Sequence, residues 1–128
     1  MSTVEPHVLL VDDDSVILHL LEVNFRLEGF TVSTASRGEQ AVQRATASPP
    51  DAVVCDVMMP GLNGFEVLDQ VRATPGLGSL PFIFLTGRAV EDDRERVSLL
   101  DRVDLVSKPF DAVDLIATVR RRIAEAAQ

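Results

Sequence analysis

Tryptophan and tyrosine are both absent from the 128 residues, and six phenylalanines carry all of the aromatic content. A core must therefore be built largely from aliphatic side chains, and any step that needs a phenol or an indole is excluded. The one cysteine, Cys55, rules out an intramolecular disulfide. Its place inside an apolar run reads as a small buried hydrophobe. Histidine is scarce too, with only His7 and His19, so oxygen is the dominant donor for any metal site. No apolar stretch approaches the roughly 18 residues of a membrane span. The start, Met1-Ser-Thr-Val-Glu-Pro6, lacks the basic segment and apolar core of an export signal. The expectation is a cytoplasmic protein with no membrane partner.

Positive charge is also short, with 12 Lys and Arg against 20 Asp and Glu, a formal net charge of −8. Such a surface repels nucleic acid and anionic lipid, so neither is expected as a direct partner. Arg120-Arg121-Arg122 is the local exception and reads as a solvated helix end that complements the helix dipole.

What is present is a regular alternation of short apolar runs with helical patterns. Strands are expected over 7–11, 30–34, 51–56, 82–85 and 103–107, and helices over 15–28, 38–47, 64–73, 91–100 and 112–126. Ser15 is the expected cap of the first helix, in which Val16, Leu20, Val23 and Leu27 recur at helical spacing before Gly29 ends it. Strands alternating with helices of this length imply βαβ crossovers and a parallel sheet, an α/β fold in one domain.

Four of the runs end on polar residues: Asp12-Asp13, Asp56, Thr86 and Lys108. In an open α/β sheet, ligands bind outside the carboxyl ends of the strands, near the point where the strand order reverses. The expected site is thus an acidic pocket with one lysine and one hydroxyl. Two like charges 4 Å apart repel by about 4 kcal/mol at an effective dielectric of 20, so converging carboxylates need a proton or a cation. An all-oxygen donor set favours Mg²⁺ or Mn²⁺, and Mg²⁺ commonly completes its shell with water and phosphate. Lys108 and Thr86 suit a phosphoryl group as co-ligand, because an ammonium and a hydroxyl can stabilise its oxygens. Taken singly, each residue has a bland reading as a cap, a strand end or a surface charge, and Asp14 keeps that reading as a turn residue or helix cap. Jointly, at the ends of four strands, they read as a site.

These residues carry a resemblance. Through Leu-Leu-Val-Asp12-Asp13-Asp14-Ser15, Asp56-Val-Met-Met-Pro60-Gly-Leu-Asn-Gly64, Phe-Leu-Thr86-Gly87 and Ser-Lys108-Pro109-Phe110, the chain closely resembles the receiver domain of two-component response regulators, the family that includes the chemotaxis regulator CheY. The resemblance implies a doubly wound five-stranded parallel sheet of order 2-1-3-4-5 with helices on both faces, 1–6 as an N-terminal tail and 7–128 as a receiver domain. It implies Asp56 as phosphoacceptor, served by a sensor histidine kinase or a histidine phosphotransfer protein. It further implies Mg²⁺ held by Asp13, Asp56 and the Met58 backbone carbonyl, with Asp12 acting mainly through water. Lys108 would pair with the phosphoryl group, Thr86 would turn toward it, and the Lys108-Pro109 bond would be cis.

Two features depart from the family. Leu105 stands where many receivers carry an aromatic switch residue, so signalling is expected to rest on the loop after Thr86 and on repacking around Leu105. Asp101-Arg102-Val103 replaces the usual Gly-Ala-Asp, so the lead-in to the fifth strand should differ. Met58 and Arg88 are expected to flank the path of attacking water. Fourth helix, fifth strand and fifth helix form the implied output face, with Arg94, Asp104, Asp114 and Arg120, as monomer or phosphorylation-dependent dimer. Two other readings stand beside this one: an aspartyl phosphatase of the haloacid dehalogenase kind, using Asp12-Asp13-Asp14, and a pseudoreceiver that works without phosphorylation.

Overall fold

The protein is described by a computed structural model covering residues 5–87 and 91–127, so part of the expected tail and Arg88 lie outside the described residues. Five strands, β1 (His7–Val11), β2 (Thr31–Ala35), β3 (Ala52–Asp56), β4 (Phe82–Thr86) and β5 (Val103–Ser107), alternate with five helices. These are α1 (Ser15–Leu27), α2 (Gly38–Ala47), α3 (Gly64–Arg72), α4 (Glu91–Ser98) and α5 (Ala112–Ala126). All strand pairs are parallel, in the order β2-β1-β3-β4-β5. The doubly wound sheet expected from the sequence is the one observed.

Strands covered on both faces are apolar along their whole length rather than on alternate residues. Their side chains still alternate between two layers. Val8, Leu10, Val54, Ile83 and Leu85 pack with Leu21 and Phe25 of α1 and with Leu115 and Val119 of α5. Leu9, Val11, Val53, Cys55, Phe82 and Phe84 face Ala41 and Ala45 of α2 and Phe65, Val67 and Val71 of α3. Each large side chain removed from water in this way contributes about 2 kcal/mol, and Phe25, Phe82 and Phe84 are among the largest that are fully buried. The charges at the strand ends are therefore mounted on a stiff, dry sheet.

Several local expectations are corrected. Asp14, not Ser15, caps α1, its Oδ1 accepting the N–H groups of Val16 and Ile17 at 2.9 and 3.2 Å. The stripe Val16, Leu20, Val23 and Leu27 does not face the core; these residues are 40–78% exposed, and α1 buries Leu21 and Phe25 instead. Strand β2 starts one residue late because Phe30 turns inward, edge-on to Phe25 at 5.0 Å between ring centroids.

The arginine run is not a solvated helix end either. Arg122 makes a two-pronged contact with Asp104 of β5 at 2.6 and 3.2 Å. Arg121 reaches Asp104 and Glu125, and Arg120 donates to the Glu28 carbonyl at 2.8 Å and lies over the Phe30 ring. Asp104 and Arg120, expected on an output face, are thus engaged within the molecule. The lead-in to β5 does differ from the family pattern: it turns through Arg102 at φ 56°, a left-handed conformation that costs a non-glycine residue roughly 1–2 kcal/mol.

Candidate functional site at the carboxyl edge of the sheet

Strand order reverses between β1, whose next strand lies on one side, and β3 on the other, opening a crevice at their carboxyl ends. Asp12 and Asp13 follow β1, while Asp56 and Thr86 are the last residues of β3 and β4, and Lys108 follows β5. Carboxylate oxygens of Asp12, Asp13 and Asp56 lie within 4.8 Å of one another, with Asp12 and Asp56 buried and Asp13 exposed. Lys108 Nζ lies 3.1 Å from Asp12 Oδ2 and 3.4 Å from Asp56 Oδ2. One ammonium thus bridges two of three carboxylates, leaving the cluster net negative.

The electrostatics follow from this placement. Burial, and then the neighbouring Asp12 charge, push the Asp56 carboxyl above its ordinary range, while Lys108 and the Met58 N–H pull in the other direction. Burial by itself disfavours the Lys108 ammonium, but its bond to Asp12 and the charges of Asp12 and Asp56 outweigh this, so Lys108 holds its proton more tightly than usual. Cys55 is buried beside them; burial and the two aspartates raise its thiol so far that it stays protonated and inert.

Local structure fixes each group. Asp12 Oδ1 accepts the Asp14 N–H at 2.9 Å, which orients the second oxygen toward Lys108. The Lys108 N–H donates to the Thr86 carbonyl at 2.7 Å, tying the ends of β4 and β5 together, and the peptide that follows, Lys108–Pro109, is cis. Beyond Asp56 the chain turns sharply into α3. A capping box between Asn63 and Glu66 starts that helix. Gly64 packs so tightly that a Cβ there would lie 2.6 Å from the Asp56 carbonyl oxygen.

The same turn is held from α2, where Glu39 Oε1 accepts the Leu62 N–H at 3.2 Å. Backbone hydrogen bonds from its own N–H and from Leu62 keep the Glu39 carboxyl below its ordinary value of 4.5. A lowered folded value means that this contact is intact above the unfolded carboxyl range and is lost as pH falls through the folded one. The Leu62 amide resonance is expected to titrate with a midpoint below 4.5 and to lose that step in Glu39→Gln. A Leu62 amide that ignores pH in the wild type would contradict the contact.

A cavity of about 460 Å³ opens over the cluster, lined by Asp56, Met58, Thr86, Gly87, Asp92, Asp93 and Lys108. Its size suits a phosphoryl group with its donor and hydration. Three converging carboxylates with no imidazole or thiolate in reach make an oxygen-only donor set, which fits a hard divalent cation such as Mg²⁺ or Mn²⁺. All five residues expected from the strand ends are brought to this edge, and Met58 lines its mouth. Sequence reasoning missed Glu39, Gly64, Asp92 and Asp93. The only trace of the last two was the acidic start of α4, a helix that follows a strand ending in the site.

The chain was compared with known proteins. The model of the response regulator receiver domain family matches residues 8–120. The transcriptional regulatory protein PrrA of Mycobacterium leprae is 42% identical over 115 residues, 90% of this chain and 48% of PrrA. The chain spans about half the length of the curated relatives it matches. A putative response regulator from Chloroflexus aurantiacus superimposes with a TM-score of 0.86 at 30% identity, covering 94% of this chain and 99% of the other. The receiver domain of the sensor histidine kinase PA1611 from Pseudomonas aeruginosa, solved with a magnesium ion coordinated in its active site cleft, has a TM-score of 0.84 at 30% identity over 94% of this chain and 99% of its own. A match running through nearly the whole length, on the fold that gathers these carboxylates, makes the chain a member of the response regulator receiver domain family.

Proposed function

We propose that the chain is a phosphoacceptor, in which Asp56 takes a phosphoryl group from a phosphohistidine on a sensor histidine kinase or a histidine phosphotransfer protein. The observation that carries this reading is the Lys108 ammonium bridging Asp12 and Asp56 inside a cluster whose carboxylates meet within 4.8 Å. In the reaction an Asp56 oxygen forms a bond to phosphorus as the phosphorus–nitrogen bond to imidazole breaks, and the imidazole leaves with the electron pair and takes up a proton. Asp12, Asp13, Asp56 and the Met58 carbonyl are the groups that would hold Mg²⁺. When bound, the cation supplies positive charge that offsets the carboxylates and the incoming phosphoryl oxygens.

The rest is done by this chain. Lys108 pairs with the transferred phosphoryl group, released in part from Asp56 as that carboxylate is esterified. Thr86, at the end of β4, orients its hydroxyl to an equatorial oxygen. Met58, 67% exposed at the cavity mouth, hinders the in-line approach of water. Met58→Asn is expected to shorten the phosphoryl lifetime severalfold, as read from its decay; an unchanged lifetime would remove Met58 from this role.

Asp12 is a poor nucleophile for the phosphatase reading, since it is fully buried and both its oxygens are engaged. A protein donor is favoured by the aliphatic face of α1, which runs from Val16 beside the site to Leu27 and offers apolar surface to a partner. Toward the output side, Leu105 packs against the layer that contains Phe84, two residues before Thr86. Phe84 lies 4.7 Å from Phe65, which carries Arg96 of α4 4.1 Å above its ring. This path stands in for an aromatic switch and links Thr86 to the α4–β5–α5 face.

Incubation with Mg²⁺ and acetyl phosphate, followed by intact mass and amide NMR, tests the reading. One phosphoryl group on the wild type, none on Asp56→Asn, and shifted amides in α4 and β5 are expected. No modification despite Mg²⁺ binding would favour a pseudoreceiver, and steady phosphate release by Asp56→Asn would favour a phosphatase.

A further inference from the structure

The cavity over Asp56 has an acidic rim that the reaction itself does not require. Asp92 and Asp93, in the first turn of α4, line it together with Thr86, Gly87 and Lys108. Asp93 is half-buried and Asp92 exposed. Among the described residues neither carboxylate has an ion pair or side-chain hydrogen bond. Lys108, the one cation among the described lining residues, is already shared between Asp12 and Asp56. Among the described lining residues, a phosphoryl donor entering this cavity therefore meets two carboxylates without an ion-pair partner and one ammonium that is already shared. Helix N-termini ordinarily favour anions through their partial positive charge, and here the first turn of α4 offsets that with its own carboxylates.

We propose that Asp92 and Asp93 are specificity-determining residues for the phosphodonor, selecting against small dianionic donors and in favour of a protein donor that brings positive charge to the rim. The inference rests on Asp56 being the acceptor and adds which donor class reaches it. A small dianion such as acetyl phosphate meets the repulsion of the rim and has no contact outside the cavity with which to offset it. A protein donor offsets that repulsion with lysine or arginine of its own and with apolar contact along α1. Charge repulsion of this kind acts on the encounter and weakens as salt shortens its range, which is about 10 Å at 0.1 M. The chemical step is unchanged: an Asp56 oxygen bonds to phosphorus, the phosphorus–oxygen bond to acetyl breaks, and acetate leaves with the electron pair.

The test compares wild type with Asp92→Asn/Asp93→Asn at saturating Mg²⁺, following phosphoryl incorporation by intact mass. At low ionic strength the double variant is expected to react with acetyl phosphate about threefold faster or more. The advantage should vanish in high salt, and should be smaller with phosphoramidate, which carries one less negative charge at neutral pH. Asp92→Lys should move the rate further in the same direction. Circular dichroism and beryllofluoride-induced amide shifts establish that each variant is folded with an intact site. A rate equal to or below wild type in folded variants, or an acceleration that is independent of salt and donor charge, would overturn the proposal. Because Asp56→Asn separately reports whether Asp56 is the acceptor, that reading can stand while this one fails.

Discussion

Asp56→Asn is expected to raise the unfolding free energy in the absence of divalent cations by about 1 kcal/mol, even though it removes the group on which the proposed function depends. The reason lies in the cluster. Asp56 is buried beside Asp12, and its folded-state carboxyl is held above the ordinary range by burial and by that neighbour. A raised folded value means that ionising Asp56 costs the folded state. The cost is absent below the unfolded carboxyl range and fully present above the folded value. Asparagine keeps the shape and removes the charge, while Lys108 retains Asp12 at 3.1 Å. Mg²⁺, for which Asp56 is a proposed ligand, should stabilise the wild type and lose most of that effect in the variant. Urea denaturation followed by circular dichroism, in chelator and in millimolar Mg²⁺, reads both quantities. A variant less stable than wild type in chelator, or one with an undiminished response to Mg²⁺, would contradict this balance of charges.

Gly64→Ala is the second large effect. In an open helix position alanine would gain up to about 1 kcal/mol over glycine. Here the added methyl would sit 2.6 Å from the Asp56 carbonyl oxygen and 3.0 Å from the Phe84 ring. The first of these is backbone at the end of a buried strand and cannot swing aside, so either the start of α3 or the end of β3 must move. A net loss of about 2–3 kcal/mol is expected, together with a weakened response to Mg²⁺, because the displaced residue carries a carboxylate of the cluster. Gly78→Ala supplies the comparison: the nearest atom to its methyl would be the Arg72 carbonyl oxygen at 3.8 Å, an ordinary contact. Equal stability of the two variants would show that Gly64 is not the tight point between helix and strand.

The two effects differ in how far the sequence announces them. Asp12, Asp13, Asp56, Thr86 and Lys108 were legible because each ends an apolar run, and parallel strands deliver their carboxyl ends to one edge. The sheet was legible for the same reason, since runs buried on both faces are unbroken. Helix α1 was not, because its sequence is apolar on more than one face: 16, 20, 23 and 27 fit helical spacing as well as 17, 21 and 25 do. Packing against β1, β2 and α5 together decides which stripe is buried, and it buries Leu21 and Phe25. The arginine run misled because the partner of Arg122, Asp104, lies 18 residues earlier on another element. Gly64, Glu39 and the acidic rim depend on distances between elements that no periodicity encodes. Arg102 is the converse case, where the missing Gly-Ala-Asp pattern signalled an altered turn and the chain makes it in the left-handed region.

Charge also accounts for the division of labour at the edge of the sheet. Asp12 is locked by Lys108 and the Asp14 N–H, Asp13 is open to solvent, and Asp56 lies in the cavity wall. Three residues of one chemical type thus have three environments, and of the two buried ones only Asp56 faces the space where a donor can sit.

Borohydride trapping is the most direct measurement of the central claim. An acyl phosphate is reduced to an alcohol, so an aspartyl phosphate becomes homoserine and marks its own position. After incubation with Mg²⁺ and acetyl phosphate, reduction and peptide sequencing by mass spectrometry should find homoserine at residue 56 and at no other aspartate. Homoserine at residue 12 or 13, or none at all in a protein that has gained a phosphoryl group, would contradict the assignment of Asp56 as the acceptor.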